Sequence, residues 1–157
     1  MPPSSSSMSR PQALLFGSGG GFLATILWGI LVCLVTGRTL PGGFAEALHQ
    51  QGPIWIFPVF LPATALGALL GFGFHRQLFS VGKTIVIAVS ISVLSHSLSV
   101  TVLFLTWWLT HHQASFTDQK LIPLLSPAST AAGLLASPIW IMIAFALRRL
   151  IRPPHAP

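Results

Sequence analysis

Residues 13–36 read ALLFGSGGGFLATILWGILVCLVT, a stretch without a single charged side chain. A helix rising about 1.5 Å per residue over this run is long enough to cross a hydrocarbon core of about 30 Å. It exceeds the roughly 7–15 residues of a signal-peptide core, and no small-x-small pattern closes it. It therefore reads as a helix kept in the mature chain. Three more apolar runs follow, at about 53–74, 84–110 and 121–147.

The whole chain agrees with this reading. Of 157 residues, 52% are hydrophobic and only 6% charged, with a mean hydropathy of +0.78; soluble domains carry about a quarter charged residues. The expected fold class is an all-α integral membrane protein, a four-helix bundle of transmembrane spans with short loops. Residues 1–12, MPPSSSSMSRPQ, are rich in Ser and Pro and read as a disordered tail. Residues 13–147 form the membrane domain, and 148–157 a basic tail.

Charge placement sets the expected orientation. Arg10, Arg76, Lys83, Arg148, Arg149 and Arg152 fall on one side of the four spans, and only Arg38 and Lys120 on the other. Excess Lys and Arg in short loops marks the cytoplasmic side, which puts both termini there. A bacterial cytoplasmic membrane is the expected location. The net charge of +6 is explained by this edge placement, so nucleic acid is not an expected partner. Trp107 and Trp108, ending the third span, suit the headgroup level. Cys33 is the single cysteine, which excludes an intramolecular disulfide and any cysteine-rich metal site.

The loop 37–52 contains a segment, FAEALHQQ, suited to a short interfacial helix. Pro58 and Pro62 predict a bend in the second span. Short matches between spans two and four, Pro62-Ala-Thr-Ala against Pro127-Ala-Ser-Thr-Ala, hint at duplication. The Pro-Ile-Trp-Ile motif at 53 and 138 occupies unlike positions in the two spans and argues against it.

Small residues recur at four-residue spacing: Gly17, Gly21, Thr25 and Gly29 in the first span, and Ala63, Gly67 and Gly71 in the second. In the fourth they are Ala128, Ala132 and Ala136 beside Ser129, Gly133 and Ser137. Positions four apart share a helix face, and small side chains let backbones approach closely in lipid. The partner face lies within the chain or on another copy.

The third span carries a polar stripe. Ser92, Ser95, His96 and Ser99 are spaced i, i+3, i+4, i+7 and share one face, and His96 is the only ionisable residue near the middle of any span. An ionisable group at that depth is a functional candidate by default. Three roles compete for it. It is a neutral side chain hydrogen-bonded across the bundle, part of a polar pathway with the serines, or an axial ligand to a haem-like pigment. No second axial histidine stands out on another span, so no cofactor is expected.

Glu46, His49, His111, His112 and Asp118 in the two opposite loops are weak metal-ligand candidates, matching no strong motif. No GxxxxGK[ST], HExxH, GxSxG or paired intramembrane carboxylates occur. The GSGGG at 17–21 follows no strand and reads as packing. The expected function is thus a non-enzymatic accessory or scaffold subunit, a homo-oligomer or part of a larger membrane complex. A small oligomeric transporter or channel using the Ser/His stripe is the alternative, and a redox anchor the third.

Overall fold

The computed structural model describes residues 8–36, 56–110 and 122–151. They form four α-helices: α1 (Arg10–Thr36), α2 (Ile56–His75), α3 (Val81–Thr110) and α4 (Ile122–Ile151). All four are long and apolar enough to span a membrane, and the described residues contain no strand. The expected interfacial helix at 44–51, the loop 111–120 and the outer parts of both tails lie outside the described residues.

The helix ends follow local chemistry that the apolar runs alone do not report. α1 begins at Arg10, inside the expected disordered tail, because the Gln12 side chain reaches back to cap Ser9, one half of a capping box. The Ser9 backbone N–H donates to Gln12 Oε1 at 2.9 Å and its hydroxyl donates to the same oxygen at 3.0 Å. Met8 packs against the core just ahead of the cap.

α2 ends in a Schellman turn. Leu78 N–H donates to Gly73 O at 3.1 Å and Gln77 N–H to Phe74 O at 3.0 Å, with Gln77 at φ 56°. Three residues later Ser80 caps α3, its hydroxyl accepting from Lys83 N–H at 3.4 Å. α3 therefore starts at Val81, ahead of the expected Thr84. α4 runs past Leu147 because Ile151 is buried and anchors one more turn. Pro62 lies inside α2, and Pro127 and Pro138 inside α4.

α1 packs on α2 and α4, and α3 packs on the same two helices, so α1 and α3 stand at opposite corners. The α1–α2 contact is backbone against backbone. A Cβ built on Gly17 would strike Gly67 O, one on Gly21 would strike Ala63 O, and one on Gly71 would strike Ala13 O. Dispersion between closely approached helices supplies adhesion where lipid-like surroundings remove the hydrophobic drive. α4 meets α1 at Gly20, where a Cβ would stand 2.9 Å from Leu147 Cδ1 and 3.0 Å from Ile143 Cγ2.

Burial is uneven along the bundle. The buried positions of α3, Thr84, Ala88, Ile91, Ser92 and Ser95, lie in its first half, and those of α4 extend from Ser129 to Ile151. α3 is thus enclosed over part of its length and α4 over nearly all of it. No residue from 25 to 35 in α1, nor from 96 to 106 in α3, is fully buried. The core thus sits toward the end that holds Arg10, the α2–α3 turn and the last turn of α4.

Candidate functional site in the polar stripe of α3

The stripe begins at Ser92, whose side chain is completely buried at the α3–α4 contact. Its hydroxyl donates to Gly133 O at 2.6 Å. Gly133 is what allows this approach, since a Cβ there would stand 2.6 Å from Val93 Cα. One turn on, Ser95 Oγ donates to Ser92 O at 2.9 Å, and His96 Nδ1 lies 2.8 Å from that same oxygen.

A carbonyl only accepts, so Nδ1 carries the hydrogen in this contact, and in the neutral ring Nε2 is left as the acceptor. The imidazole meets Trp28 of α1 edge to face, at 5.5 Å between centroids and 84° between planes. Ser99 Oγ reaches Val59 O of α2 at 3.5 Å, the outer limit of a hydrogen bond.

The stripe therefore touches all three other helices: α4 through Ser92, α1 through His96 and α2 through Ser99. Each of the four side chains uses a backbone carbonyl as its partner. A chain of donors and acceptors passing from side chain to side chain, which a proton relay requires, is not formed by these bonds.

The small residues divide by position. Gly17, Gly21, Ala63, Gly67 and Gly71 all lie in the α1–α2 contact, whereas nothing stands within 4 Å of a Cβ built on Gly29. In α4 the buried face runs through Ser129, Gly133 and Ala136, while Ala128 is exposed and Ala132 half-buried. The pattern 128/132 lies one residue off the buried face, because the 3.6-residue period turns strict four-residue spacing slowly around the helix.

Glu46, His49, His111, His112 and Asp118 lie outside the described residues. Among the described residues no group of three His, Cys, Asp or Glu is placed to hold a metal ion. Two features escaped the sequence reading. One is Trp28 as the partner of His96. The other is Phe72 as a common platform for Arg10 and Arg76. Both depend on the register between helices, which periodicity within one helix does not encode. No family model, no curated protein and no solved structure matches this chain.

Proposed function

We propose that the protein spans a membrane four times with both termini in the cytoplasm, and serves as a non-enzymatic accessory or scaffold subunit. Its lipid-facing or partner-facing surface is apolar: Leu34 and Val35 are 74% and 78% exposed, and Leu135 70%. Apolar exposure on this scale belongs to a membrane or a protein partner. The basic residues at the α1, α2 and α4 ends and at the start of α3 supply the orienting charge.

The observation that carries the non-catalytic reading is the use of the polar stripe. Ser92, Ser95, His96 and Ser99 all end on backbone carbonyls. Such bonds act as glue between and within helices and leave no unspent row of donors for a solute path. The bundle offers close-packed internal faces and little reactive chemistry.

The test uses full-length protein, wild type beside His96→Phe, purified in mild detergent and then placed in liposomes. The expected result is a colourless protein, self-associated or bound to a larger membrane complex, with proton and solute flux equal to empty vesicles in both forms. Flux present in wild type and lost in His96→Phe would replace this reading with a polar pathway. A visible absorbance band lost in the variant would replace it with a redox anchor.

A further inference from the structure

At one end of the bundle two arginines share a ring. Arg10, in the first turn of α1, holds its guanidinium carbon 5.0 Å from the Phe72 centroid, and Arg76, just past α2, holds its own at 5.5 Å. The register that brings Ala13 to Gly71 also brings these two cations around a single side chain. Cation–π contact lays each guanidinium in a defined place rather than leaving it free in solvent. Both arginines are exposed, so water screens their mutual repulsion, and an anion brought to this end is attracted by both.

The described residues supply no such anion there. They contain no Asp or Glu, and both acids of the sequence, Glu46 and Asp118, belong to segments joining the opposite ends of the helices. The same end carries Lys83 in the first turn of α3, and Arg148 and Arg149 in the last turns of α4. Arg148 Nη1, on α4, is a buried side-chain nitrogen without a hydrogen-bond partner among the described residues. Guanidinium forks match phosphate oxygens in shape and charge.

We propose that this end of the bundle binds a phosphate-bearing anion, with Arg10 and Arg76 on Phe72 as its clamp. An anionic phospholipid headgroup and free phosphate share this chemistry. The lipid source rests on the membrane-spanning reading above, and the free-phosphate source does not.

The test is native mass spectrometry of the full-length protein in mild detergent with equal amounts of phosphatidylglycerol and phosphatidylcholine. Thermal unfolding with and without millimolar inorganic phosphate runs beside it. Wild type is expected to retain phosphatidylglycerol preferentially. Arg10→Gln/Arg76→Gln is expected to lose about fivefold of that preference per arginine, the value that follows from about 1 kcal/mol per basic residue at an anionic surface.

Phe72→Leu leaves every charge in place and is expected to weaken the preference as well, which a merely positive bundle end would not show. Unfolding in phosphatidylcholine micelles reports whether each variant is folded. Stabilisation by inorganic phosphate in wild type but not in Arg10→Gln/Arg76→Gln, without lipid preference, would assign the site to free phosphate. Equal retention of both lipids with no phosphate effect, or a preference unchanged in both variants, would overturn the proposal. Neither result bears on flux or on co-purifying partners, so the two readings fail separately.

Discussion

The Ser92 hydroxyl on α3 donates to the backbone carbonyl of Gly133 on α4 at 2.6 Å, and the same glycine admits the α3 backbone because it lacks a Cβ. Bond and close approach are thus one joint. Ser92→Ala is expected to destabilise the fold by about 0.5–1.5 kcal/mol through the lost hydrogen bond. Gly133→Ala is expected to cost about 1–3 kcal/mol by overpacking. Once Gly133→Ala has pushed the helices apart the bond is already strained, so the double variant should lose less than the two singles together. Equilibrium unfolding in mixed micelles measures all three, and strict additivity would show the joint to be two separate contacts.

Gly67 and Gly29 give opposite expectations for the same substitution. A Cβ on Gly67 would meet Gly17 O, with Gly21 N at 2.9 Å and Gly21 Cα at 3.0 Å, all backbone atoms that cannot rotate away. Gly67→Ala should lower the unfolding midpoint, at a cost of about 1–3 kcal/mol. Gly29 meets nothing, so Gly29→Ala should gain about 0.5–1 kcal/mol from helix propensity alone. A loss of stability at Gly29 would reveal a neighbour that packs there, and self-association assayed alongside would identify a second copy.

Gln77 holds φ 56° at the turn between α2 and α3, a conformation that costs a side-chain-bearing residue about 1–2 kcal/mol. The Schellman bonds on either side of it already fix the turn. Gln77→Gly is therefore expected to raise stability by a sizeable part of that cost, offset by the greater freedom of glycine in the unfolded chain. A higher unfolding midpoint with unchanged helicity is the outcome to look for. A lower one would mean that the Gln77 side chain makes a contact outweighing its backbone strain.

How much of this was written in the sequence differs by level. The four long apolar helices are legible from composition and run length, since the 6% charge leaves few other arrangements. The ends are less so. Ser9-x-x-Gln12 is a readable capping signal, yet it is embedded in a Ser- and Pro-rich stretch whose composition points to disorder. Ile151 lies beyond two arginines that look like a terminus.

At the site, the i, i+3, i+4, i+7 spacing places Ser92, Ser95, His96 and Ser99 on one face, but not what that face meets. Gly133 and Val59 as acceptors, and Trp28 as the ring against His96, follow from how far each helix slides along its neighbour. That offset is decided by glycine contacts such as Gly17 with Gly67, a property of two helices together that neither carries alone.

The uneven burial of α1 and α3 makes each a peg gripped along one part of its length. From Thr25 to Val35 in α1 and from His96 to Thr106 in α3 no residue is fully buried, while Phe74 and Leu147 at the other end are enclosed. The Trp28–His96 contact lies where the fully buried positions of both helices give out, at the far side from Arg10 and Arg76.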